Sequence, residues 1–275
     1  MTNYTLDNKI FWVRNFTTEK THEDSMYPSL SKQLKKKLPL LQSFFEYHLE
    51  PLTALLIDDI FAPLYKKYVA SKEHFKLNEQ ELPERLKERL ETEPHKQYYI
   101  LWVTKKGDSS VIYGATVFNI ATRGDVKTCS FAYKGYDHAI TRELKIGVSI
   151  DVWTESLIQD FALENDCVQL RHGKDTHFRE KPGLHLFKLK TGCLPLSALT
   201  NTEIEVDRSG LEQITISEDD IQKNDLSVFF AEPGTNGFYT QMHLFRKLSA
   251  DNSELCGEFQ KIGERSGLEV ILTEY

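Results

Sequence analysis

The hydrophobic period changes abruptly near residue 98, and that change limits the fold more than any other feature. Residues 98–104 read YYILWVT, apolar on both faces as a central strand requires. A polar turn at residues 105–110 leads into VIYGATVFNI at 111–120. The turn Thr122-Arg123-Gly124-Asp125 then leads into a third strand at 126–133. Strands joined by such short turns predict an antiparallel meander.

After the meander the period becomes helical. Ile146, Ile150, Trp153, Leu157 and Phe161 share one face, with Asp151, Glu155 and Gln159 mostly opposite. A strand is expected at 167–171, then a loop at 172–181 and a short helix at 183–191. Upstream, residues 31–69 carry apolar residues at three- and four-residue steps, and Pro51 is expected to divide them into two helices. A short strand is expected at 9–14, and a charged helix at 80–93 ending before Pro94. Beyond residue 200 the pattern predicts strands at 213–216, 226–231 and 268–273, with helices at 238–248 and 254–264. Residues 233–237 (PGTNG) would connect strand to helix, and Phe229 and Phe230 are expected in the core.

The whole is an α/β chain of the α+β type. Its expected parts are N-terminal helices in residues 1–97, a core with a mixed sheet in 98–199, and a small C-terminal α/β unit or continuation of the sheet in 200–275.

The net charge of −7 weighs against nucleic acid backbone as the main partner. No apolar run approaches the roughly 18–20 residues that span a bilayer, and the N-terminus lacks the basic-then-apolar order of a secretory signal. Cys129, Cys167, Cys193 and Cys256 are scattered without a CxxC pair, so reduced thiols and a cytoplasmic location are expected. His172 and His177 stand five apart with no HExxH helix, so no metal site is expected.

The order strand–strand–strand–helix–strand–helix over residues 98–192 resembles the core of the GNAT acyltransferases. Leu144-Lys145-Ile146-Gly147-Val148-Ser149 stands where that family has a phosphate-binding loop, keeping the middle glycine and a small last residue but not the leading Gln or Arg. Backbone N–H groups at a helix N-terminus favour an anion there. Phe187-Lys188-Leu189-Lys190-Thr191-Gly192-Cys193 aligns with the family's Phe-Tyr-x-x-x-Gly-Phe helix, with Lys188 in the place of tyrosine. This departure is similar to the Fem-type branch, in which the CoA loop is often eroded.

The resemblance implies an acyltransferase moving an acyl group from acyl-CoA, such as acetyl-CoA, to an amine on a small-molecule or sugar-like acceptor. No tightly bound cofactor is implied. Lys145, Ile146, Gly147, Val148 and Ser149 would hold the donor, with backbone near residues 132–135 polarising its carbonyl. Tyr133, Asp137, His138, His172 and Lys188 are the catalytic candidates, and Tyr136, Lys174 and Asp175 would meet the acceptor. Asp137 and His138 either accept a proton or cap an exposed loop. Lys188 either stabilises an anion or is a solvated lysine, and the His172–Asp175 run is either a site or a plain loop. Two other functions stay open: transfer from aminoacyl-tRNA or another non-CoA donor, and a silent binding module. A homodimer through sheet edges is an open arrangement.

Overall fold

The computed structural model describes residues 2–16, 28–70, 81–137, 149–178, 182–201, 208 and 210–275. The chain divides into two compact units. One comprises residues 16–24 and 28–170; the other joins residues 1–15 and 25–27 to residues 171–275. Both mix helices and strands, as the sequence predicts.

The first unit is built on the meander. Strands β4 (Lys96–Lys105), β5 (Asp108–Arg123) and β6 (Val126–Tyr136) pair antiparallel in sequence order. A fourth strand, β3 (Phe45–Pro51), pairs antiparallel with β4 from Phe45 opposite Lys105 to Pro51 opposite Tyr99. This corrects the expectation of a helix continuing to Pro51. The helix α1 (Pro28–Phe44) carries Pro39 within it and stops before Phe45. The apolar spacing through 41, 44, 45 and 49 fits a helix, but pairing with β4 decides the segment, since strand preference depends on neighbours more than on intrinsic propensity. His48 stacks on Trp102, its partner in the register, with ring centroids 4.9 Å apart.

Side-chain alternation gives the meander two apolar faces. One carries Ile100, Trp102, Ala115 and Val117. It packs under α2 (Ala54–Leu56), the π-helical turn Ile57–Phe61, α3 (Ala62–Ala70) and α4 (Glu81–Thr92). The other face presents Tyr99 and Phe118 to Phe161, and Phe45 to Tyr113 and Trp153, all as ring contacts. Phe161 and Trp153 belong to α5 (Ile150–Glu164). Glu155 and Gln159, expected on the outer face of that helix, are buried at 0% and 1% exposure. For Glu155 an ion pair with Lys134, described below, compensates this burial.

Strand β7 (Cys167–Thr176) crosses the division between the units, so the loop expected from residue 172 begins only after Thr176. In the second unit α6 (Gly183–Lys190) lies where a helix is predicted. The chain's first strand, β1 (Asn3–Asp7), pairs antiparallel with β9 (Gln213–Ser217). β2 (Lys9–Asn15) pairs antiparallel with β8 (Leu194–Leu196). After the short helix α7 (Glu218–Ile221), β10 (Leu226–Pro233) and β11 (Tyr239–Arg246) form a hairpin. Helix α8 (Ser253–Arg265) then leads to β12 (Glu269–Glu274), parallel to β11.

β11 replaces the helix expected at 238–248. Tyr239, Met242 and Leu244 are buried while Thr240 is exposed, and the antiparallel partner β10 satisfies the backbone. The 233–237 segment is therefore a strand-to-strand turn. Phe229 and Phe230 are core residues, as expected. A Cβ at Gly263 would lie 2.3 Å from Met242 Cε, so a glycine is needed where α8 presses on β11. The four cysteines are buried and unpaired. No helix among the described residues is long and apolar enough to cross a membrane.

His177 is held entirely by backbone. Phe230 N–H donates to its Nε2 at 2.9 Å, so Nδ1 carries the proton and donates to Asp7 O at 2.9 Å. Burial, opposed by the hydrogen bond to Asp7 O, lowers its pKa to about 4. An unfolded histidine titrates near 6.5, so the stabilisation is complete above that pH and is lost as pH falls towards 4. The loss amounts to about 3 kcal/mol in all. Urea midpoints measured from pH 7 to 4.5 should fall steeply for the wild type. The slope should be visibly shallower for His177→Gln; equal slopes would contradict the assignment.

Candidate active site

The end of β6 concentrates polar chemistry inside the first unit. The β5–β6 register skips one residue: Val117 faces Tyr133 and Phe118 faces Phe131, leaving Ala132 without a partner on β5. Such a bulge bends a strand and re-aims the residues that follow it. Those residues are Tyr133, Lys134, Gly135, Tyr136 and Asp137.

Lys134 carries the strongest constraint. Its Nζ lies 3.1 Å from Asp151 Oδ1 and 3.8 Å from Glu155 Oε1. The two acids stand four residues apart, on one face of α5. Nζ also sits 4.3 Å from the centroid of the Phe131 ring. Burial alone would lower the ammonium pKa; Asp151 and Glu155 outweigh it and hold the group raised, hence charged. Lys134 thus explains why Glu155 turns inward.

Tyr136 continues this network. Its hydroxyl lies 2.6 Å from Thr116 Oγ1 and 2.7 Å from Thr154 Oγ1. Burial first, and then the nearby Asp151, raise its pKa. The Tyr136 ring lies across Gly114, its register partner, where a Cβ would come within 2.3 Å of Tyr136 Cδ1. Gly135 lets the backbone of α3 approach closely; a Cβ there would stand 3.2 Å from Tyr65 Cα.

The predicted site residues of this unit fall at distinct places. Tyr133 packs with its ring centroid 6.5 Å from that of Phe61, and Arg89 Cζ lies 5.8 Å from the ring. Asp137 N–H donates to Tyr113 O at 2.8 Å. Ser149 caps α5 by accepting from Val152 N–H at 3.3 Å, which makes it a helix cap by role. His138, Lys145, Ile146, Gly147 and Val148 lie outside the described residues.

In the second unit, Lys188 Nζ and His172 Nδ1 are 3.1 Å apart. An ammonium has no acceptor, so when Lys188 is charged it donates to Nδ1, and the ring's own proton sits on Nε2. Gly173, at φ +82, lies in the strand between His172 and an exposed Lys174. Asp175 Oδ1 accepts from Thr176 N–H at 2.9 Å.

A second polar cluster in this unit is structural. Asp7 Oδ2 accepts from Ser197 Oγ at 2.5 Å and from Tyr239 OH at 2.7 Å. His177 is nearby but spends both ring nitrogens on backbone, so no serine–histidine relay exists there. Among the described residues no group of three His, Cys, Asp or Glu side chains is arranged to hold a metal ion.

Sequence reasoning missed Lys134, Glu155, Thr116 and Thr154. A signal was present: a lone lysine in the aromatic strand segment FAYKGY, followed by two acids at i,i+4 on the next helix.

No protein-family model matches the sequence. A sequence search of curated proteins likewise finds no match. Solved structures do show similarity. A possible acetyltransferase from Clostridium difficile 630 matches over 43% of this chain and 72% of its own, at 12% identity and TM-score 0.32. A tandem GNAT protein from the clavulanic acid biosynthesis pathway matches over 67% of this chain and 49% of its own, at 7% identity and TM-score 0.43. Glucosamine-6-phosphate N-acetyltransferase from Arabidopsis thaliana matches over 60% of this chain and 99% of its own, at 14% identity and TM-score 0.32. Identities and TM-scores this low transfer no residue role.

Lys134→Met should destabilise the protein by roughly 1–3 kcal/mol, because it removes a partly exposed cation 3.8 Å from the buried Glu155 carboxylate. The double variant Lys134→Met/Glu155→Gln should recover part of that loss. In the single variant the stranded carboxylate's pKa rises, so its stability deficit should shrink as pH falls from 7 to 5. Chemical denaturation of the wild type, Lys134→Met, Glu155→Gln and the double variant at both pH values checks this, and additive single-variant costs would refute the coupling.

Proposed function

We propose that the protein is an N-acyltransferase that takes its acyl group from acyl-CoA and delivers it to an amine on a small molecule. The observation that carries this reading is the break in β5–β6 pairing at Ala132. It falls within residues 132–135, the segment whose backbone the GNAT resemblance implies for polarising the acyl carbonyl. The element order supports the reading too: three antiparallel strands, a helix, a strand and a helix occur in the predicted sequence.

Amide formation joins the amine nitrogen to the acyl carbon and breaks the carbon–sulfur bond; one proton leaves the amine and one reaches the sulfur. Backbone at the bulge would stabilise the oxyanion that develops on the carbonyl. Asp137, directly after β6, is the described residue best placed along the chain to accept the amine proton, alone or through His138. Lys134 and Tyr136 act as positioning residues: the buried Lys134–Asp151–Glu155 contacts and the Thr116–Tyr136–Thr154 hydroxyls tie the strand end to α5. The donor phosphates belong to Lys145–Ile146–Gly147–Val148, with Ser149 shaping the N-terminus of α5.

Lys188 holds the place that the resemblance gives to the leaving-group acid. Its Nζ lies 3.1 Å from His172 Nδ1 within the second unit.

Thermal-shift titration with acetyl-CoA, longer acyl-CoAs and free CoA tests the reading. A ligand that binds only the native state adds roughly 2.7 kcal/mol at a hundredfold excess over its dissociation constant. A dose-dependent rise that Gly147→Trp abolishes is expected. No rise with any thioester would overturn the CoA reading and favour a non-CoA donor or a silent module. In a turnover assay, Asp137→Asn should lower kcat by about 10²-fold or more with donor affinity unchanged.

A further inference from the structure

Arg14 closes β2 in a way no part of the proposed chemistry uses. The residue is only 1% exposed, and among the described residues none of its three guanidinium nitrogens has a hydrogen-bond partner. Arginine offers five N–H donors and no acceptor, and it stays protonated in proteins. A buried, unneutralised guanidinium is among the costliest arrangements a fold can keep.

Two residues earlier on the same strand stands Trp12, also 1% exposed, whose indole Nε1–H is likewise without an acceptor. Alternation puts Trp12 and Arg14 on one face of β2. Neither can satisfy the other, because both only donate. What satisfies both is a group that only accepts and carries negative charge.

The surroundings define that group. Trp12 belongs to the apolar cluster that includes Leu186 and Leu189 of α6, Cys193 and Phe230. The β2–β8 register runs from Phe11 opposite Leu196 to Val13 opposite Leu194, so Arg14 comes next, level with Cys193. Cys193 N–H donates to Lys188 O at 3.0 Å, which fixes the last turn of α6 at the same level. Such surroundings penalise a dianion more than a monoanion. The planar guanidinium fork matches a carboxylate with two parallel hydrogen bonds.

We propose that Arg14 and Trp12 form a binding site for the carboxylate of a small apolar acid, on the face of β2 that packs against α6. Arg14 makes the paired contact and Trp12 supplies a third donor. The site belongs wholly to the second unit and is independent of the acyl-transfer reading.

The test is an NMR titration of the full chain, following the Trp12 indole and Arg14 Nε–H resonances. Acetate, hexanoate, benzoate and inorganic phosphate are the probes. Saturable shifts of both resonances are expected with the carboxylates, tighter for hexanoate and benzoate than for acetate, and absent with phosphate. Arg14→Met should weaken benzoate binding at least tenfold, read at the Trp12 indole. If that variant does not fold, Trp12→Phe keeps the packing and removes one donor, and affinity read at Arg14 should fall several-fold. Shifts with phosphate alone would overturn the carboxylate assignment. No shift with any anion, or unchanged benzoate affinity in the variants, would overturn the site.

Discussion

A lysine placed inside a sheet face has to be neutralised, and Lys134 organises the first unit around that requirement. Its position on β6 is fixed by ladder pairing with β5, and its side chain is only partly exposed. Asp151 and Glu155, one helical turn apart on α5, come to it. The orientation of α5 follows: a helix face that carries charge in the sequence is turned into the protein. Tyr136 then finds Thr116 on the sheet and Thr154 on the helix within hydrogen-bond distance. One ion cluster and one hydroxyl chain therefore define how the third meander strand meets the helix that follows. The bulge at Ala132 precedes both on the same strand.

The second unit solves a similar problem with backbone. His177 is neutral because Phe230 donates to one nitrogen and Asp7 accepts from the other. Asp7 also collects Ser197 and Tyr239 on its carboxylate. These contacts join segments as far apart in sequence as residues 7 and 239. β1 pairing with β9 joins the start of the chain to its last quarter. A unit assembled from both ends of a chain has no local sequence signature, because each part looks like an unpartnered strand until the other is present.

The meander, α5, α6, α8 and several tail strands were legible because their periods and turns are local. Residues 45–51 and 239–246 were not: their apolar spacing suits helix and strand alike, and only β4 and β10 decide between them. The candidate site was legible in part. Tyr133, Tyr136 and Asp137 could be found by counting along the third strand. Lys188 and His172 were both candidates in the sequence, but only the structure brings them within 3.1 Å of each other.

The sequence by itself determined the α/β class and the order of the meander, α5, β7 and α6, since each depends on short-range pattern. Tertiary structure decided which charges are buried and with whom. Glu155 reads as a solvent-facing acid on its helix but is fully buried, with Lys134 Nζ 3.8 Å from its carboxylate. Arg14 reads as the polar end of a short strand and is an enclosed cation, 1% exposed, in the folded chain. Burial is a property of what packs against a residue, and no local stretch of sequence contains its own neighbours.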